Sequence, residues 1–208
     1  ADWDANYPFK KDNKNFQTSL TLDVDLTPDI QLKSITSYNR YTTESAVEGD
    51  GTPYTATTIL VDGYMRTFFQ ELRLSGTSGP LRWIVGGNIT DDKVNEVQTA
   101  IFTDGILGKG GYTLASGRNR QTGSSESVYG NIEYDLDNGL NLQVGARYTN
   151  YRRELIGCTT ADNQSTADYF TARVPGTIAV GGCVTVQPDN VTVGYYNPKL
   201  KEDNFSWR

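Results

Sequence analysis

Alternate residues of this chain separate, window after window, into an apolar and a polar set, and this period of two commits it to β-strands with differently solvated faces. Over 16–26, Phe16, Leu20, Leu22, Val24 and Leu26 share one parity, while Gln17, Ser19, Asp23 and Asp25 share the other. Thr27-Pro28-Asp29 then breaks the strand, because proline fixes φ and lacks a donor. A second strand, over 30–41, sets Ile30, Leu32 and Tyr38 against Gln31, Lys33 and Asn39, with Ser34 and Thr36 diluting its apolar side. A third, over 64–75, sets Phe68, Leu72 and Leu74 against Phe69, Glu71 and Arg73, and Gln70 is out of pattern. After a turn at 76–80, Leu81, Trp83, Val85 and Ile89 alternate with Arg82, Gly86, Asn88 and Thr90. A fifth strand opposes Val128, Ile132, Tyr134 and Leu136 to Tyr129, Asn131, Glu133 and Asp135. The sixth is the cleanest, with Leu140, Leu142, Val144, Ala146 and Tyr148 on one side and Asn141, Gln143, Gly145, Arg147 and Thr149 on the other. Between these two, Asp137-Asn138-Gly139 carries the Asn-Gly pair favoured in type I′ hairpins.

The connections alternate as strictly as the strands. Tight turns fall near 27–29, 76–80 and 137–139, and long polar loops at about 42–63, 91–126 and 152–202. Segments of about ten alternating residues, joined by short turns at one end and long loops at the other, are the pattern of an outer-membrane barrel. The fold class expected is all-β: an antiparallel up-and-down transmembrane β-barrel, present as a partial barrel of six to seven strands, with all of 1–208 in one domain. A soluble β-sandwich also alternates, its apolar face being its core. Three features favour the bilayer. The strands are longer than the usual five or six residues. Their apolar faces carry no charge, where Lys or Arg would cost about 2–4 kcal/mol at the midplane. Trp83, Tyr134, Tyr38 and Tyr148 stand near strand ends, where aromatic belts sit. The 13 Tyr and 21 Gly suit strands and turns.

Other functions lose ground on composition. No run approaches the roughly 18 apolar residues of a spanning helix, and 1–11 lacks the layout of a signal peptide. With no histidine, the usual base of hydrolytic triads and the commonest metal ligand are missing. A net charge of −6 argues against nucleic acid as a partner. Gly108-Lys109 lies in a glycine-rich loop, but Gly110 follows where a phosphate-binding loop needs Ser or Thr. Asp91, Asp92 and Glu96 lack the spacing of a calcium loop and read as a solvated loop base. Asp23, Asp25, Glu71, Glu133 and Asp135 fall on polar strand faces, as a wet or plugged lumen requires. No catalytic residue, metal ligand or cofactor is assigned.

The stretch Phe69-Gln70-Glu71-Leu72-Arg73-Leu74-Ser75, the turn through Gly79-Pro80, and Leu81-Arg82-Trp83-Ile84-Val85-Gly86-Gly87 resemble a barrel hairpin of TonB-dependent outer-membrane receptors. Leu32-Lys33-Ser34-Ile35-Thr36-Ser37-Tyr38, Tyr129-Gly130-Asn131-Ile132-Glu133-Tyr134 and Val144-Gly145-Ala146-Arg147-Tyr148 are similar to neighbouring strands of the same receptors. The resemblance spans much of 32–151. It implies an outer-membrane location in a Gram-negative bacterium and a barrel of about 22 strands around a plug. It also implies import of a scarce small-molecule ligand, such as a ferric siderophore, cobalamin or an oligosaccharide, powered by a TonB complex. Expected partners are the lipid bilayer of the outer membrane, the remaining strands and plug domain of the same receptor, and the TonB complex. No TonB box, plug or C-terminal aromatic strand end is found, and Asn204-Phe205-Ser206-Trp207-Arg208 reads as the opening of another strand. An internal piece of a receptor, about a third of the barrel wall, is therefore expected.

Two further function classes stay open: a complete small barrel with a structural or diffusion role, and a secreted sandwich that binds glycans through loop tyrosines. An eight-stranded closure would draw on 2–9 or on the apolar patch at 177–186, which Gly181, Gly182, Pro175 and Pro188 weaken. Cys158 and Cys183 fall in the third long loop, where an oxidising compartment favours a disulfide. Recognition is expected from loops on a rigid scaffold, with Tyr54, Tyr112, Tyr169, Phe170, Tyr195 and Tyr196 as candidate contacts, the alternative being loop-on-loop packing.

Overall fold

The computed structural model describes residues 4–136 and 139–208. Seven strands form one antiparallel sheet in chain order: β1 (Lys11–Thr27), β2 (Ile30–Glu48), β3 (Thr58–Ser78), β4 (Leu81–Ile101), β5 (Leu114–Asp135), β6 (Asn141–Ala161) and β7 (Lys199–Trp207). Two helices interrupt the connections, α1 (Ile106–Lys109) and α2 (Gln164–Thr171). A sandwich would need a second sheet over the apolar face, and all seven strands lie in one. Among the described residues β1 and β7 do not pair, so the sheet is open and the small closed barrel is not formed. The patch at 177–186 adds no strand; it makes isolated bridges, Thr160 to Cys183 and Val186 to Val193.

Register shows why the sheet has two faces. In an antiparallel pair, directly opposed residues project to the same side. Val24, Leu32, Leu74, Val85, Gly130, Ala146 and Trp207 form one such row across all seven strands. The next row toward the long connections is Leu22, Ser34, Leu72, Gly87, Val128, Tyr148 and Phe205. These side chains are open to the surroundings: Leu72 is 53% exposed, Val128 63% and Phe205 65%. On the opposite face the polar Glu71, Asn88 and Ser127 are buried. Crowding of the polar face makes it the concave side of a curved sheet, and the convex side is apolar. A protein folded for water has the reverse distribution.

The apolar stripe runs obliquely. Its upper limit is Phe16 on β1, Tyr38 on β2, Phe68 on β3, Ile89 on β4, and Val128, Tyr148 and Phe205 on β5 to β7. In register terms the limit descends by three rows of the sheet between Phe16 and Phe205. That is about 20 Å along the strand against about 29 Å across it, so the stripe lies level when the strands lean by about 35°. On β6 it runs from Leu140 to Tyr148, about the nine residues a tilted strand needs to cross hydrocarbon.

Sequence periodicity alone misplaces the strand ends. The loops expected at 42–63, 91–126 and 152–202 shrink to 49–57, 102–113 and 162–198. The reason is physical: above the stripe both faces of the wall meet water, so pairing continues while hydrophobic alternation stops. Asp91, Asp92 and Glu96 accordingly lie on β4 and not at a loop base. Adjacent Asp91 and Asp92 project to opposite faces and cannot share a cation. The glycine-rich segment around Gly108 contains the single turn of α1. Gln70, the out-of-pattern residue of the apolar face, is satisfied across the strand pair: its amide donates to Ser34 Oγ at 3.0 Å and accepts from Thr36 Oγ1 at 2.5 Å. Of the tight turns, 28–29 and 79–80 lie where expected, whereas Asp137 and Asn138 of the third fall outside the described residues; Gly139 has φ +83°.

Candidate functional site

Two regions concentrate polar and aromatic chemistry: the concave face and the cluster of long connections. The concave face is a ladder of paired charges. Lys33 meets Asp23 at 3.0 Å, one strand across. Arg73 pairs with the buried Glu71, and its Nε donates to Tyr129 Oη at 3.3 Å. Arg147 donates to Ser127 Oγ at 2.8 Å and to Asn88 Oδ1 at 3.4 Å, and its guanidinium lies 5.6 Å from the Tyr129 ring centre. Gly86 makes this packing feasible, since a Cβ there would stand 2.7 Å from Tyr129 Oη. Nearer the tight turns, Arg82 bridges Glu133 at 3.0 Å and Asp135, and Asn141 Nδ2 donates to both carboxylates at 3.0 and 2.6 Å. The carboxylates Asp23, Glu71, Glu133 and Asp135 therefore each face a cation, and Asp25 accepts from Gln31 Nε2 at 3.1 Å. Such a surface is polar, and these five carboxylates are each engaged within it.

The long connections build a second assembly. Asn163 caps α2, its Oδ1 accepting from Thr166 N at 2.9 Å. Thr166, fully buried, turns its hydroxyl oxygen onto the backbone amides of Thr113 and Leu114. Ala161, Ala167, Ile178 and Val184 form a small apolar core beside it, with Phe170, Val174 and Val193 packed around. Cys158 and Cys183 are joined as a disulfide with their Cα atoms 5.8 Å apart, tying the connection at 162–198 to β6. Cys158 stands on β6 itself, beyond the apolar stripe, and not in a loop.

The six aromatics singled out from the sequence divide into two groups. Tyr112, Tyr169 and Phe170 come together: Tyr112 lies 5.5 Å from each of the other two, and Tyr169 is 5.2 Å from Phe170. Phe102 stacks on Tyr112 at 5.3 Å, and the Arg173 guanidinium covers the Tyr169 ring at 3.6 Å. Burial pushes the Tyr112 hydroxyl's pKa up. These rings pack the connection at 102–113 against that at 162–198. Tyr54, Tyr195 and Tyr196 stand apart, the first two more than 60% exposed; Tyr196 exchanges 2.9 Å backbone hydrogen bonds with Gly157. Phe102 and Arg173 were not legible as members, because neither their spacing nor their flanks ties 102–113 to 162–198.

A third loop contact escapes sequence reasoning. Asp4 is buried against the connection at 49–57, where the Thr55 hydroxyl donates to its carboxylate, and Asn6 N donates to Oδ1 at 2.8 Å. The Thr55 hydroxyl, with the Asn6 amides, holds Asp4 below the usual carboxylate range. Asp50 is held low in the same way by the Thr52 hydroxyl and by backbone amides of Thr57 and Thr52.

Comparison with known proteins agrees with this geometry. The family model described as TonB dependent receptor-like, beta-barrel matches residues 1–208. No curated protein sequence matches. Among solved structures, the ferric yersiniabactin uptake receptor FyuA from Yersinia pestis superposes with a TM-score of 0.68 at 10% identity, over 95% of this chain and 25% of that one. The likeness is of fold, and the chain spans a quarter of that receptor.

Proposed function

Because the chain belongs to the TonB-dependent receptor β-barrel family along its whole length, we propose that it forms part of the wall of an outer-membrane active importer. The observation that carries this reading is a single curved sheet, polar and charge-paired on its concave face and apolar on its convex face over about nine residues per strand. In this reading the long connections face outside the cell and the tight turns face the periplasm. The two open edges are completed by further strands of the same receptor, because unpaired N–H and C=O groups in hydrocarbon cost several kcal/mol each. The ladder of Lys33, Arg73 and Arg82 with their carboxylates, and of Arg147 with Ser127 and Asn88, lines the space that a plug domain fills.

The imported ligand is a scarce small molecule of the class of ferric siderophores, cobalamin or oligosaccharides, and the structural neighbour, a ferric yersiniabactin uptake receptor, supports a ferric ligand. Exposed Tyr54, Tyr195 and Tyr196 are the contacts this part of the wall offers it, since each carries a stacking face and a hydroxyl. The test is accumulation of radio-iron-loaded catecholate, hydroxamate and phenolate siderophores, and of labelled cobalamin and oligosaccharides. It uses cells that carry the complete receptor as their only importer, with and without an intact TonB complex. Accumulation of one ligand that stops when TonB is removed is expected. Extraction of the wild-type receptor without detergent would overturn the membrane reading, and accumulation independent of TonB would overturn active import.

A further inference from the structure

Between the charge ladder and the rim, the concave wall is lined mostly by neutral polar groups. The row nearest the ladder reads Ser19, Ser37, Phe69, Thr90, Ser125, Tyr151 and Glu202, and the next reads Gln17, Asn39, Thr67, Asp92, Gly123, Arg153 and Leu200. Farther up, Asn13, Asn15, Asn119 and Gln121 continue the carboxamides. From the first of these rows to that of Lys11 and Ser45, the ions are three carboxylates, Asp92, Glu96 and Glu202, and two cations, Lys11 and Arg153. Among the described residues none of them forms a salt bridge. Asp92 Oδ1 accepts from the Thr67 hydroxyl at 2.7 Å, Glu96 accepts from Gln98 Nε2 at 2.6 Å, and Arg153 donates to Gln121 Oε1. Neutral partners thus hold these charges without cancelling them.

Most cations of the upper wall point the other way: Arg40, Arg66, Lys93, Arg118, Arg120 and Arg152 stand on the convex face. The rim repeats the imbalance. Its three connections carry Asp50, Asp104, Asp168, Asp189 and Asp162, the last set against Arg118 at 4.0 Å, while their cations are Lys109 and Arg173. Arg173 is itself occupied, lying over the Tyr169 ring with its Nη1 donating to Tyr169 O at 2.7 Å. Asp50 and Asp189 are held below the usual carboxylate range by the hydroxyls of Thr52 and Thr192 respectively and by backbone amides, which keeps them charged. A molecule descending from the rim therefore meets carboxylates in excess, and then amides and hydroxyls. Amides and hydroxyls both donate and accept, so they satisfy neutral polar groups. For a polyanion they do not offset the lost hydration and the like-charge repulsion.

We propose that this wall and rim act as a charge filter on the imported ligand, with Asp92, Glu96 and Glu202 as its specificity-determining residues. The filter admits an uncharged ferric chelate, in which three singly charged bidentate donors balance the iron, and turns away chelates that carry several negative charges. The inference rests on the importer reading above and on its ferric ligand. A cleft lined by one sign of charge depletes solutes of that sign, and like charges brought together in a confined space disfavour the wrong partner more than they favour the right one.

The test uses the complete receptor, in an uncharged detergent for binding and in cells that carry it as their only importer for uptake. Two ferric chelates are compared, an uncharged cyclic trihydroxamate and a trianionic tris-catecholate. The expected result is binding of the uncharged chelate tighter by about tenfold or more and insensitive to salt, with the trianionic chelate binding better as salt screens the carboxylates. Asp92→Asn/Glu96→Gln/Glu202→Gln should narrow the ratio of the two affinities several-fold, and Asn39→Arg/Asn119→Arg should narrow it further or reverse it. Equal or tighter binding of the trianionic chelate by the wild-type receptor, or its weakening with salt, would overturn the proposal even if every variant failed to fold. An unchanged ratio in a folded triple variant would overturn the assignment to these three residues. Accumulation of a labelled oligosaccharide or cobalamin in place of either chelate would overturn the ferric assignment and leave active import standing. Uptake of the uncharged chelate that persists without TonB would overturn the importer reading and leave the filter standing.

Discussion

Thr166 Oγ1 accepts from the backbone amide of Leu114 at 3.0 Å, and from that of Thr113 at the same distance. One fully buried hydroxyl thereby fastens α2 to the first residue of β5. Thr166→Val removes the acceptor at nearly constant volume and strands two amides, at about 1–3 kcal/mol each. Faster hydrogen exchange at Thr113 and Leu114 in the complete receptor is expected, with the exchange of β3 and β4 unchanged. Thr166→Ser should restore protection.

The disulfide between Cys158 and Cys183 closes a loop with a sequence separation of 25 over the small core of Ala161, Ala167, Ile178 and Val184. Such a closure contributes about 3 kcal/mol in the chain-entropy account. Cys183→Ser, or reduction, should open 162–198 to limited proteolysis while heat-stable barrel migration persists. Ready alkylation of both thiols in the untreated receptor would contradict the bridge.

The two faces of β6 give a paired prediction. Leu142 is 58% exposed on the apolar side, and Gln143 occupies the polar side opposite Glu133. Leu142→Arg should impair membrane assembly by about 1 kcal/mol, the cost of a cation toward the border of the hydrocarbon, and Gln143→Arg should be tolerated. Membrane-extracted yield of the folded receptor measures both.

Low pH should loosen the connection at 49–57. Asp4 and Asp50 both have folded pKa values below those of the unfolded chain, through the hydroxyls of Thr55 and Thr52 respectively and neighbouring amides. Depressed carboxylates contribute stability above the unfolded value, about 3.9, and lose it as pH falls through the folded one. Hydrogen exchange at Thr55 and Thr57, corrected for intrinsic rates, should therefore lose protection in that acid window. Asp4→Asn should lower protection at neutral pH and flatten the dependence.

Strand existence and facing were legible because a side-chain period of two survives in any sheet with unlike solvents on its faces. Leu140 to Tyr148 shows this at its clearest. Where the solvents become alike the signal disappears, as between Thr42 and Glu48, and the strand continues unread. Helix α2 was hidden for another reason: its cap, Asn163 to Thr166, lies inside a polar connection and its core residues come from 161–184 without a repeat. The candidate aromatics were identified by type, which cannot separate Tyr112, packed on Phe102, from Tyr54, open to solvent. The row of Arg40, Arg66 and Lys93 across β2 to β4 needed strand register, since these residues have no relation in the linear sequence.

Strands β3 to β6 each run 21 or 22 residues, yet the apolar stripe occupies only about nine. At about 3.3 Å per residue and a lean of about 35°, the wall is nearly 60 Å tall against roughly 25 Å of hydrocarbon. The difference stands as a hydrogen-bonded parapet about 30 Å high on the side of the long connections. In the closed barrel proposed above, that height sets the rim of connections at 49–57, 102–113 and 162–198 well above the charge ladder, so a solute bound for the concave face descends from the rim.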